Sequence, residues 1–255
     1  MDILRDLLAA DPSRPRLTFY DETLGVRIEF SATTLANWAN KTAGWLVEEC
    51  EFTELYEHAY PTANEEPNGH ISLAAGVNWQ TVGLALGALT VGARFTVGAD
   101  FHSDYILCTY KDMDQLYIAT LEAHGAMSDD DTFDFQEYPS LAVITEDPFG
   151  RGVREVGLEL PDYAIDYGPE VRVNDDAYHN ACPSLIDALS NLTGSRIEKA
   201  EHHKRMLCRG WNDTDSLVEN ILIPLAQGHT VVVVHGPATE ERLAKIAEEE
   251  RISAD

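Results

Sequence analysis

NGHISLAAGVNWQTVGLALGALTVGARFTV, residues 68–97, reads as strand, helix and strand in one pass. The turn Pro67-Asn68-Gly69 opens a short apolar run at 71–75 and Gly76 closes it, which predicts a buried strand. From Val77 to Val91 the apolar residues Val77, Val82, Leu84, Ala85, Leu86, Ala88, Leu89 and Val91 cover more than one helical face. That pattern predicts a helix buried on several sides. Gly83 and Gly87 lie one turn apart, so this surface admits close approach by another element. Gly92 sits where a helix-ending glycine is expected, and 94–97 supplies a second strand. A connection this short predicts a right-handed parallel crossover.

Residues 71–99 are long and apolar enough to raise the question of a membrane span. Asn78, Gln80 and Arg94 interrupt the run and glycines fall at the element ends, which favours a soluble crossover. Met1-Asp2 begins an acidic amphipathic stretch, not a basic then apolar one, so no secretory signal and a cytoplasmic location are expected.

Working outward, the chain has 255 residues and is expected to form one α/β domain over 1–255. Its 44 acidic against 18 basic residues give a formal net charge of −26. Nucleic acids and anionic membranes would repel such a chain, so neither is an expected partner. The preference for arginine over lysine fits a bacterial source of high GC content or one adapted to salt. Cys50, Cys108, Cys182 and Cys208 show no metal-type spacing and read as reduced thiols.

A short helix is predicted at 2–9, and a hairpin from strands 17–20 and 26–30. Ser31 caps a helix whose Leu35, Trp38, Ala39, Thr42, Trp45 and Leu46 recur at helical spacing. The acidic stretch 51–67 reads as a surface excursion. Further strands are predicted at 105–109, 116–120, 140–145, 153–160 and 170–173. The aspartates of 128–137 read as a solvated loop, without the glycine and closing glutamate of a calcium site. Residues 184–207 read as mostly helical with a break near Gly194, and 216–225 as a helix carrying Pro224. Residues 230–234 read as a fully buried strand and 239–251 as a charged helix.

Three blocks resemble the N-terminal part of adenylate-forming enzymes, the superfamily of acyl-CoA synthetases, luciferases and peptide-synthetase adenylation domains. The first is LTFYDETLGVRIEFSATTLANWANKTAGWL at 17–46, similar to the family's hairpin and following helix. The second is the opening stretch, where Gly69-His70-Ile71 replaces a Gly-Asp-Arg-Val turn and Asn78, Ala88, Gly92 and Ala93 match. The third is 206–252, where the run ILIPLAQGHTVVVVHGPATEERLAKIAEEERIS is similar to the family's helix end, strand and following helix. The resemblance implies an α/β fold with a largely parallel sheet flanked by helices and extra hairpins, like a truncated N-terminal domain of acyl-CoA synthetases. The third-block strand is expected to join the sheet built by the opening crossover.

The departures bear on function. The family holds ATP phosphates with a Ser/Thr/Gly-rich loop ending in Pro-Lys, whose amides and lysine face the anion. The corresponding stretch, 171–205, has Thr193-Gly194-Ser195 but no such run and no Pro-Lys, and reads as a helix break. Gly150-Arg151-Gly152 lacks the helix-opening context of a nucleotide loop. The family's adenine segment, ribose contact and mobile C-terminal domain lie beyond the stretch that corresponds to this one. An adenylation site is therefore not expected from this sequence alone.

The main basic island holds Arg196, Lys199, His202, His203, Lys204, Arg205 and Arg209. Arg196, Lys199 and His203 fall at i, i+3 and i+7, one face of a predicted helix. With Arg209 they form a candidate anion or nucleotide site, against the plainer reading of a helix surface paired with acidic neighbours. Trp211 stands roughly where the family has an aromatic-His pair beside the acyl pocket, though the histidine is missing, and reads as pocket lining or as core. No catalytic residue and no metal set is expected, since hydrolase and zinc motifs are lacking. The function expected is that of an acyl-CoA synthetase-like, AMP-binding-enzyme-like protein that does not catalyse adenylation. It would bind a small acyl or nucleotide ligand, or a protein partner. The alternative is a subunit of ATP-dependent carboxylate activation completed by another chain, and a structural homo-oligomerisation module is a third reading. No cofactor is required; ATP, AMP or CoA enter only through the resemblance.

Overall fold

The computed structural model describes residues 2–48, 69–125 and 138–253; the excursion at 51–67, the aspartate loop at 128–137 and Cys50 lie outside them. Two sheets share one hydrophobic core. Helix α1 (Arg5–Ala10) leads into β1 (Pro15–Asp21) and β2 (Val26–Ser31), which pair antiparallel. Helix α2 (Ala32–Glu48) follows, its first turn tied down by the Thr34 amide donating to Ser31 Oγ at 3.1 Å. Then come β3 (His70–Leu73), α3 (Trp79–Val91), β4 (Arg94–Val97), β5 (Tyr105–Thr109), α4 (Met113–Ala123), β6 (Ser140–Ile144), β7 (Ala164–Asp166) and α5 (Tyr167–Arg172). The last third holds α6 (Leu185–Thr193), β8 (Arg205–Cys208) and α7 (Thr214–Leu217). A π turn (Val218–Leu222) accommodates Pro224 and leads to α8 (Ile223–Ala226), β9 (Thr230–His235) and α9 (Glu240–Glu249).

The opening stretch folds as its pattern predicts. The Asn78 side chain caps α3 by accepting from the Gln80 amide at 2.8 Å, and Gly92 ends the helix at φ 75°. All residues of α3 are buried, and β3 and β4 pair in parallel. The glycine face is where α2 lies: a Cβ on Gly87 would fall 2.4 Å from Thr42 Cγ2 and 3.2 Å from the Ala39 carbonyl. Aromatic contacts extend this seam, with Trp79 ring centroids 4.8 Å from both Trp38 and Phe30. No helix among the described residues is long and apolar enough to cross a membrane.

The five-stranded sheet is wholly parallel in the order β4-β3-β5-β6-β7. Alternation splits its strands: Leu107 and Ala142 face the main core, while Ile106, Cys108, Leu141 and Val143 meet Met113, Val153 and Leu160 on the other side. The second sheet has the order β2-β1-β9-β8, with β9 parallel to both neighbours. The third-block strand therefore joins the hairpin, not the crossover sheet. Val231 and Val233 face the main core and Val232 and Val234 face Ile246 of α9, so β9 requires cover on both sides as its unbroken valine run implies.

Four further expectations are corrected. Residues 116–120, predicted as a strand, are helical within α4, because Met113, Leu116, Tyr117 and Thr120 lie at i, i+3, i+4 and i+7. Residues 153–160 form a short 3₁₀ turn (Arg154–Val156) and irregular chain, pinned by side chains instead of a ladder. Residues 170–173 fall in and after α5, and the sheet's edge is the unforeseen β7. The long helix at 184–207 ends at Thr193, where Gly194 turns at φ 64°; irregular chain follows and then β8.

One buried carboxylate ties the outer sheet to α9. Glu250 accepts from Tyr20 Oη at 2.6 Å and Arg27 Nε at 2.8 Å, and pairs with Arg205. Burial opposes its charge, yet hydrogen bonds from Arg27 and Tyr20 and the charges of Arg27 and Arg205 hold its pKa below the ordinary range. Two outcomes follow. Gly87→Ala forces a methyl into Thr42 and should cost about 1–3 kcal/mol in urea unfolding. Glu250→Gln should cost about 3 kcal/mol at pH 7 by leaving Arg205 without a carboxylate partner, while Arg27 keeps Glu29 at 2.7 Å. Because the folded pKa is depressed, that deficit should stay full above about pH 4.5 and shrink as pH falls through the folded value, where the native chain loses the same charge.

Candidate functional site

In open parallel sheets, ligands enter at the carboxyl ends of the strands, where the strand order reverses. Here that point lies between β3 and β5, since the chain runs outward from β3 to β4 and then returns past β3 to β5, β6 and β7. The crest is built from 74–78, 110–112 and 145–153, and the end of β8 meets it from the second sheet. A Cβ on Gly210 would fall 2.7 Å from Val77, so the two sheet ends are in direct contact. The Val97 amide donates to Thr214 Oγ1 at 2.9 Å and reinforces the junction.

The loop after β6 has a glycine-punctuated sequence, TEDPFGRGV, and its amides are already occupied. Asp147 Oδ1 accepts from the amides of Phe149 at 2.9 Å and Arg151 at 3.3 Å, and its carbonyl takes the Gly150 amide at 3.0 Å. Glu155 accepts from the Gly152 amide at 2.7 Å. Buried Asp166, at the end of β7, accepts from Val153 at 2.8 Å and Arg154 at 3.2 Å. Arg172 closes the loop by donating to the Gly150 carbonyl at 2.8 Å and pairing with Glu155. Burial works against the Asp147 carboxylate, but Arg151 and the Phe149 and Arg151 amides hold its pKa low; the Arg172 hydrogen bond, then the Gly152 amide, does the same for Glu155. Chemically this is an anion nest whose anions are the protein's own carboxylates. The strand-to-helix turn from β7 to α5 is direct, with no glycine-rich loop between them.

The sequence-derived candidates are dispersed. Arg196 and Lys199 line an open cleft of about 900 Å³ beside α6, with Asp187, Ser190, Ser195 and Glu198. Arg196 pairs with Glu198 at 3.1 Å and Lys199 with Asp6 of α1 at 2.8 Å. His203 lies at the opposite end of β8 from Arg209 and bonds Thr230 Oγ1 at 3.0 Å. Arg209 donates to the carbonyls of Val234 at 3.0 Å and Gly236 at 2.6 Å. Trp211 is buried in the main core with its indole N–H unpartnered. No group of three or more His, Cys, Asp or Glu among the described residues is arranged to hold a metal. The sequence reading missed Asp147, Glu155 and Asp166, because only the fold brings these separated carboxylates to one set of amides.

The fold and crest define the class of the protein, an acyl-CoA synthetase-like α/β fold. The structure superimposes on an acyl-CoA synthetase from Brucella canis with TM-score 0.65 and 12% identity, over 99% of this chain and 46% of that one. It also superimposes on the N-terminal domain of FACL13 from Mycobacterium tuberculosis, with TM-score 0.56 and 12% identity over 99% and 61% of the two chains. The chain thus spans less than two thirds of either of these solved structures. It belongs to the TIGR03089 family, being 30% identical over 259 residues to the TIGR03089 family protein of Mycobacterium tuberculosis (strain ATCC 25618 / H37Rv), across 97% of this chain and 93% of that protein. No protein-family model matches it.

Internal capping carries a stability consequence. Asp166→Ala strips the acceptor from the Val153 and Arg154 amides and should cost about 1–3 kcal/mol, with faster hydrogen exchange at those two amides than elsewhere in the sheet.

Proposed function

We propose that this protein is a member of the acyl-CoA synthetase-like fold that does not catalyse adenylation and acts by binding a small acyl or nucleotide ligand or a protein partner. The occupied nest of 145–153 carries the reading. Phosphate cradles work because backbone amides are left free to face an anion. Here Asp147, Glu155 and Asp166 take those amides, and a triphosphate would have to displace fixed carboxylates while itself bearing negative charge. The lack of a Ser/Thr/Gly-rich run with Pro-Lys in 171–205 supports the same conclusion.

A second reading is that the chain contributes to ATP-dependent carboxylate activation with groups supplied by another chain. Its support is the partial span of the Brucella canis acyl-CoA synthetase, 46% of that chain. Pyrophosphate exchange over a panel of carboxylic acids separates the two. The first reading expects no exchange by the purified chain, with or without co-purified proteins. Exchange by the chain alone refutes it, and exchange that needs a co-purified protein establishes the second.

A further inference from the structure

Among the described residues, the buried charges of Glu250 and Asp166 are compensated and that of Arg16 is not. Glu250 has two arginines and a tyrosine, and Asp166 has two amides. Arg16 is 1% exposed and has no carboxylate within ion-pairing distance among the described residues. Its Nη1 donates to the Gly228 carbonyl at 2.6 Å and its buried Nε has no partner. A buried guanidinium left this way is costly, the more so in a chain with 44 acidic residues available to pair it.

Its surroundings add positive charge. At the amino ends of β1, β9 and β8, Arg16 sits with Arg14, His203, Lys204 and His229. The Lys204 amide donates to His229 Nδ1 at 3.1 Å, and His203 Nε2 bonds Thr230 Oγ1 at 3.0 Å, which in turn donates to the Pro15 carbonyl at 2.5 Å. These bonds hold the group together from three strands. Lys204 is exposed and has no ion pair among the described residues. The carboxylates nearby are engaged: Asp11 pairs with Arg14 at 3.4 Å and caps Ser13, and Glu250 serves Arg27 and Arg205 one step along the sheet. Burial first, then the charges of Arg14, Arg16, His229 and Arg205, depress the His203 pKa; burial, Lys204 and Arg16 depress that of His229. The local potential is positive although the protein as a whole is strongly negative.

We propose that Arg16, Arg14, Lys204, His203 and His229 form a binding site for a small oxyanion, a phosphoryl or carboxylate group. Arg16 supplies the desolvated, preoriented donor, and Lys204 and His203 form the solvent-facing rim. The site lies at the opposite end of the second sheet from the crest, so it stands whether or not the chain activates carboxylates.

Inorganic phosphate is the probe, with sodium acetate and sodium chloride at matched ionic strength and pH 7. Phosphate should raise the urea midpoint above that in chloride and raise the pKa values of His203 and His229, followed by histidine-ring NMR. Acetate acting as well as phosphate supports the site and assigns the carboxylate class; a response to phosphate alone assigns the phosphoryl class. Lys204→Gln should weaken phosphate binding about tenfold while leaving stability in chloride unchanged. Arg16→Met should be at least as stable as the native chain in chloride and lose the phosphate response. A midpoint no higher in phosphate or acetate than in chloride, with both histidine titrations unmoved, overturns the proposal. So does a phosphate response that survives Lys204→Gln undiminished, a variant informative even where Arg16→Met does not fold.

Discussion

Helix α3 has no solvent face, and the molecule is arranged around that constraint. Thirteen residues that are all buried need apolar cover on every side. The five-stranded sheet supplies one side, and α2 supplies another at the close distance permitted by Gly87 against Thr42 and Ala39. Because α2 begins at the end of the hairpin, the seam also fixes where β1 and β2 stand. The Trp38–Trp79–Phe30 cluster then joins the hairpin to the crossover. A sheet that began as a two-stranded hairpin gains β9 and β8 and becomes the second wall of the same core.

Electrostatics is organised at two levels. The surface carries a large excess of carboxylate, which governs solubility and choice of partner more than fold. Inside, charges are few and each is placed. Glu250 bridges three elements of the outer sheet and helix α9, and Asp166 holds the loop after β6 against the end of β7. That loop lies at the carboxyl end of β6, on the crest, and the chain's own carboxylates accept its amides. Arg16 shows the reverse situation, a buried cation without an internal anion.

The legible parts of the fold were those whose covering is encoded locally. Residues 69–97 contain their own cap, helix stop and strand partners, and α2 and α9 carry regular stripes behind Ser31 and Thr239. The stretch from 113 to 207 was harder. Its strands are three to five residues long, and its helices α4 and α5 use tyrosine, threonine and valine, residues that favour strands when judged in isolation. Strand β8 has only Met206, Leu207 and Cys208 as apolar residues and exists because β9 offers it an edge. The basic island looked like one helical face; with the chain irregular after Gly194, its cations go to different neighbours.

The sequence by itself determined the α/β class, the opening crossover, the helix stops and the acidic surface, because each rests on spacing, capping or composition within a short window. The tertiary structure alone decided which sheet β9 joins, which carboxylates fill the amide nest at 145–153, and which cations gather around Arg16. Those outcomes depend on residues as far apart as Pro15, Lys204 and Thr230, brought within hydrogen-bond reach by strand order. Local pattern carries no information about strand order, since any strand of suitable burial satisfies it equally well.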